Sequence, residues 1–157
     1  TQAHAASVES GTTFGVLFVD LNDFKPVNDR LGHAAGDFVL AETARRLRCS
    51  VPDGATVARM GGDEFAVLLP GATTREDLDE IEQGILRGVQ DPYPVAGTSL
   101  HLTASVGGSL ATPDDQHLSD LLRRADDAMY RFKHRQRSAL EQEKGRSNPY
   151  RRAFQLT

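Results

Sequence analysis

Cysteine is nearly missing from this sequence. Cys49 is the single one among 157 residues, so disulfide frameworks, thiolate zinc sites and paired redox motifs are excluded. Positive charge is not in excess either. Eighteen Lys and Arg against 22 Asp and Glu leave a formal net charge of -4, so no general cationic field draws in nucleic acid, and none is expected as a partner. No apolar run approaches the roughly 18 residues that cross a bilayer, and the Thr1 to Ser10 stretch lacks the charged and apolar regions of a secretory signal. A reducing, cytoplasmic compartment is the simplest expectation, either for a free chain or for the cytoplasmic domain of a membrane-associated parent. Internal repeats and low-complexity segments are absent, and the length suits one compact domain.

What is present reads as alternating strands and helices. Phe14 to Val19 is a short apolar run without alternation, the mark of a central strand covered on both faces, and it ends at Asp20. Leu40, Ala44 and Leu47 recur at helical spacing, which predicts an amphipathic helix from about Ala35 to Arg48, stopped by Pro52 and Gly54. Two further apolar runs, Thr56 to Met60 and Phe65 to Leu69, flank Gly61-Gly62-Asp63-Glu64, a hairpin signature because paired glycines accept positive φ. Leu78, Ile85 and Val89 mark a second helix, opened by Thr74 with Asp77 in capping-box spacing. Leu100 to Leu110 is expected as a strand, and a last helical stripe runs from Leu118 to about Phe132. The order predicts an α+β class: a ferredoxin-like βαββαβ palm with a mixed central sheet, as in nucleotide cyclases.

In that topology Asp20, ending the first strand, and Asp63 with Glu64, in the hairpin turn, converge. Carboxylates so close repel unless a cation joins them, and hard oxygen ligands favour Mg²⁺ or Mn²⁺ beside substrate phosphates. Two such ions would assist both the attacking and the leaving oxygen. The plainer reading, in which both aspartates simply form strand-end turns, stays open on pattern alone. A second polar segment carries Lys25, Asn28, His33 and Asp37. A carboxylate such as Asp37 can accept from N1-H and the N2 amine of guanine, and an Asn such as Asn28 can pair with N3 and N2. Both are equally residues that turns and helix caps favour. Basic residues from Arg131 through Lys133, Arg135 and Arg137 to Arg151 and Arg152 form either a solvated tail or half of a phosphate site.

Taken together, Asp20-Leu-Asn-Asp-Phe-Lys25, Asn28-Asp29, Gly32-His33-Ala-Ala-Gly36-Asp37, Gly61-Gly62-Asp63-Glu64-Phe65, Ala104-Ser105-Val106-Gly107 and Ala125-Asp126-Asp127-Ala128-Met129-Tyr130-Arg-Phe-Lys133 resemble the GGDEF domain of diguanylate cyclases. The resemblance implies condensation of two GTP into cyclic di-GMP with release of two pyrophosphates, across a homodimer in which each domain binds one GTP. It implies Asp20, the Leu21 carbonyl, Asp63 and Glu64 as metal ligands for about two Mg²⁺ or Mn²⁺ ions per site. Glu64 would complete the metal site or serve as base near the 3′-hydroxyl, with Asp63 and Lys25 also in the catalytic set. Phe24, Lys25, Asn28, His33, Asp37, Lys133 and Arg137 would bind substrate, Asn28 and Asp37 reading guanine and the cations neutralising the triphosphate. Lys133 and Arg137 share a face only if the last helix continues.

Residues 14–137 would form the GGDEF domain, 1–13 a remnant of an upstream helix or linker, and 138–157 a C-terminal tail or linker. An upstream sensor or a downstream phosphodiesterase domain would sit in the parent chain, because the family's leading helix segment is missing here. Other departures are Asn22 where the family commonly has Asp, Gln136 where it usually has Gly, and Pro52 and Ala55 in place of the Arg and Asp of its product-inhibition motif. Product feedback through that motif is therefore expected to be absent. The rival expectations are a non-catalytic GTP-sensing module and, third, a cyclase with a mononucleotide product.

Overall fold

The computed structural model describes residues 13–112, 115 and 117–146. The proposed remnant at 1–13, apart from Thr13, and the tail from residue 147, with Arg151 and Arg152, lie outside the described residues. Strand β1 spans Phe14–Asn22, and its side chains are buried along most of its length, as a run without alternation requires. A left-handed Asp23, with φ 55°, turns the chain into the short helix α1, Lys25–Leu31, within the polar segment that carries Lys25 and Asn28. Helix α2 follows at His33–Cys49 and the hairpin β2, Thr56–Gly61, and β3, Glu64–Pro70, comes next. Helix α3 covers Arg75–Gln90 with the expected capping box complete: the Asp77 amide donates to the Thr74 hydroxyl, and the Thr74 amide donates to the Asp77 carboxylate.

Two three-residue strands, β4 at Tyr93–Val95 and β5 at Thr98–Leu100, form a separate small hairpin. The expected strand from Leu100 to Leu110 is broken at His101 and Leu102, and Leu100 instead ends β5, whose hairpin with β4 turns at Ala96 and Gly97, both with positive φ. Strand β6 is Thr103–Leu110, and the last helix, α4, runs through Leu118–Arg146 rather than stopping near Phe132.

The main sheet has the order β2-β3-β1-β6, the ferredoxin-like order that the element sequence predicts. Its parallel members, β1 with β2 and β3 with β6, are each separated by an intervening strand, so each described ladder is antiparallel. Pleating then divides the side chains. Leu17, Val19, Leu21, Phe65, Val67 and Leu69 pack beneath α2 and α3 in the larger core, while Phe14 and Val16 meet Leu121 and Ala125 of α4 on the opposite face. Leu78, Ile85 and Val89 of α3 are fully buried, each contributing roughly 1.5–3 kcal/mol relative to exposure.

Helix α4 lies directly on β6. A Cβ at Gly107 would fall 1.9 Å from the Met129 backbone nitrogen, so only glycine permits this approach. Side chains cap the free edge of β6: the Ala104 carbonyl accepts from Gln136, that of Gly108 from Arg75, and that of Leu110 from Arg124. Backbone groups that could pair with another chain are thus engaged. No helix among the described residues is long and apolar enough to cross a membrane.

Candidate active site

Register places the acids. Asp20 sits opposite Glu64 of β3 and Ser105 of β6, on the sheet face that α4 covers. The Leu21 amide donates to the Asp63 carbonyl at 3.1 Å, which ties the Gly-Gly turn to the end of β1. Gly62 has φ 54° in that turn, the conformation anticipated for the paired glycines. In an antiparallel ladder a residue's N–H and C=O leave the strand on the same side, so the Leu21 carbonyl also points toward the turn.

The strand register and the Leu21 to Asp63 backbone bond bring the two aspartates to the same end of the sheet. The Asp63 carboxyl is pushed up from its ordinary value first by burial and then by the charge of Asp20, with Lys133 opposing. Asp20 itself is 6% exposed, and its carboxylate accepts a hydrogen bond from the Lys133 ammonium of α4. Glu64 lies across the ladder from Asp20 but is exposed. Among the described residues, no three His, Cys, Asp or Glu side chains gather as a metal cluster. The oxygens that could hold Mg²⁺ or Mn²⁺ are those of Asp20 and Asp63 and the Leu21 carbonyl, with Glu64 across the ladder from Asp20; such ions keep several waters and take further oxygens from phosphates. The mutual repulsion registered at Asp63 is what a divalent cation would relieve.

Beside this pair a cleft of about 540 Å³ opens, lined among others by Leu21, Phe24, Lys25, Asp63, Lys133 and Arg137. Four of the six residues expected to act on substrate or metal from β1, the turn and α4 thus share its wall with Lys25 and the buried Phe24, while Asp20 and Glu64 are not among its lining residues. The continuation of α4 brings Lys133 and Arg137 onto one face, and it adds Leu140 and Glu143 to the wall. Asn28, His33 and Asp37 do not line this cleft. They lie on α1 and α2: a Cβ at Gly36 would lie 1.8 Å from the Asn28 side-chain oxygen and 3.2 Å from the ring of Phe24, so the missing side chain is what lets the Asn28 amide pack against the start of α2. His33 and Asp37 are exposed there, available to a ligand.

The chain matches the family model described as "Diguanylate cyclase, GGDEF domain" over residues 1–139. It belongs to the GGDEF family. Among curated relatives, the bifunctional diguanylate cyclase/cyclic di-GMP phosphodiesterase MucR of Pseudomonas aeruginosa is 39% identical over 84% of this chain and 19% of its own length. Diguanylate cyclase TpbB of the same species is 40% identical over 79% of this chain and 29% of its own. The crystal structure of the TpbB GGDEF domain superposes with a TM-score of 0.79 at 38% identity, covering 85% of this chain and 84% of that one. The chain thus spans between a fifth and a third of the length of these curated relatives.

Within this GGDEF domain, the two family departures at positions 22 and 136 meet. The Asn22 amide donates to the Gln136 side-chain oxygen at 3.0 Å and to the Thr103 hydroxyl at 2.9 Å. Ser105, fully buried, has its hydroxyl 2.9 Å from the Asn22 oxygen and 3.0 Å from that of Gln136. Its proton is engaged there by amide oxygens, which do not activate a serine as a nucleophile. Periodicity carries no sign of this network, since its members sit on three separate elements. The only sequence signal was that both positions depart from the family pattern.

Proposed function

We propose that this GGDEF domain is a diguanylate cyclase domain that joins two GTP into cyclic di-GMP and releases two pyrophosphates. The observation that supports this most is the Asp20 and Asp63 pair beside a cleft walled by Lys25, Lys133 and Arg137. Acids that bind hard cations next to three fixed positive charges suit a nucleoside triphosphate, whose own charge both must balance.

In this reading Asn28 and Asp37 hold guanine by hydrogen bonds that adenine cannot reciprocate, with His33 at the rim. Lys25, Lys133 and Arg137 neutralise the triphosphate, and Phe24 forms the apolar floor. Asp20, the Leu21 carbonyl, Asp63 and Glu64 hold the divalent ions. When bound, those ions polarise the α-phosphate and stabilise the departing pyrophosphate. The 3′-oxygen of one GTP forms the new bond to the α-phosphorus of the other as the bond to pyrophosphate breaks. Glu64, the more accessible of the two turn acids, accepts the hydroxyl proton. Because each GTP supplies both an attacking hydroxyl and an attacked phosphorus, two such domains facing each other complete the reaction. Positioning of the two nucleotides, together with the charge that the divalent ions would neutralise, carries the catalysis, while the three cations hold the triphosphate.

The parent protein of MucR's kind would combine this domain with sensor or phosphodiesterase domains. The test is incubation of concentrated protein with GTP and Mg²⁺ and identification of the nucleotide product. Cyclic di-GMP is expected. GTP bound but unchanged would instead establish a sensing module, and cyclic GMP a mononucleotide cyclase.

A further inference from the structure

Past Met129, helix α4 loses its apolar anchor. From Tyr130 to Lys144 only Phe132, Lys133 and Gln136 are better than exposed, so the stretch that carries Lys133 and Arg137 is not held by the core. Polar contacts hold it instead. Gln136 reaches two strand ends at once: its oxygen accepts from Asn22 at the end of β1, and its amide donates to the Ala104 carbonyl of β6 at 3.2 Å. Ser105 and Thr103 close the network from β6. Gln136 stands three residues after Lys133 and directly before Arg137, and all three line the cleft.

We propose that Gln136, clamped to Asn22 and Ala104, is a positioning residue that sets the register of α4 on the sheet and so presents Lys133 and Arg137 to the phosphates of the substrate. The inference rests on the cyclase reading for the identity of that substrate. A helix turns 100° per residue, so a small rotation or slide around position 136 swings the neighbouring cations away from the cleft. Both polar ends of Gln136 are occupied, and Asn22 is neutral, so the clamp itself adds no carboxylate to compete with phosphate for Lys133. Gln136 itself touches no reacting atom in this role.

Gln136→Met keeps length, volume and helix propensity while removing the hydrogen bonds. Calorimetric affinity for a non-reacting GTP analogue with Mg²⁺ is expected to fall roughly five- to tenfold, while affinity for GMP, which lacks the outer phosphates, stays within about twofold. In turnover the loss falls on KM, with kcat within about twofold, since the cations bind ground and transition state alike. Should Gln136→Met fail to fold, as judged by its thermal unfolding, Asn22→Ala removes the β1 side of the clamp while leaving the Ala104 and Ser105 bonds, and is expected to give the same split at a smaller size. Equal loss for GTP analogue and GMP in both variants, or no loss in either, overturns the proposal. If the unaltered protein binds neither ligand, the cyclase reading falls and this inference with it; normal turnover by the unaltered protein with an indifferent Gln136→Met overturns this inference alone.

Discussion

Asp20 and Lys133 stand 113 residues apart in sequence and are joined by an ion pair beside the cleft that Lys133 lines. The last helix thus neutralises the first strand's acid, and the same ammonium also eases the raised Asp63 carboxyl. Lys133 serves two partners: the carboxylate now, and the triphosphate in the proposed reaction. Lys133→Met is expected to raise KM for GTP about tenfold, with a smaller change in kcat, because a uniformly bound charge is lost. Initial rates across GTP concentrations measure this, and an unaltered KM would remove Lys133 from the phosphate site.

Asp63→Asn is expected to reduce turnover at least about a hundredfold by removing an anionic oxygen from the divalent site. The fold stays intact, and the melting temperature holds or rises, since a half-buried carboxylate repelled by Asp20 is replaced with a neutral amide. Full activity in this variant would exclude the proposed chemistry.

Asp37→Ala is expected to relax the preference for GTP over ATP by roughly tenfold or more, leaving the metal requirement unchanged. Competition between the two nucleotides in one binding assay reads this directly. Preserved selectivity would assign guanine recognition elsewhere.

Acid stability has a separate origin. Asp115 accepts from the Arg124 guanidinium and from the Thr112 amide and hydroxyl, which fastens the end of β6 to α4 and holds its carboxyl well below the usual carboxylate range. A depressed pKa stabilises the fold at every pH above the unfolded value of about 3.9 and is lost as pH falls below it. Asp115→Asn is therefore expected to lower the melting temperature by a few degrees at pH 7 and at pH 5, with the gap to the unaltered protein narrowing below about pH 4. A gap that is constant with pH would show that packing, not charge, supplies the effect.

Legibility of the sequence tracked the presence of apolar periodicity. The run without alternation in β1, the paired glycines at 61 and 62, and the Thr74 cap each state a local preference that the tertiary structure keeps. Convergence of Asp20 and Asp63 followed from strand order. The β4–β5 hairpin was hidden because its strands have three residues each, one contains Pro94, and an alanine takes one of the two positive-φ turn positions. Beyond Phe132 the helix is solvated on most sides, so the hydrophobic stripe that predicts helices ends before the helix does. The Asn22 to Gln136 contact joins positions 114 residues apart, and no local pattern encodes such a pairing.

The central claim is that Asp20 and Asp63 together hold a divalent cation against the substrate's phosphates. Electron paramagnetic resonance of Mn²⁺ with the protein and a non-reacting GTP analogue tests it most directly. The unaltered protein is expected to show immobilised Mn²⁺ whose affinity drops about tenfold or more in Asp20→Asn and in Asp63→Asn. Equal Mn²⁺ affinity in all three proteins would contradict the account.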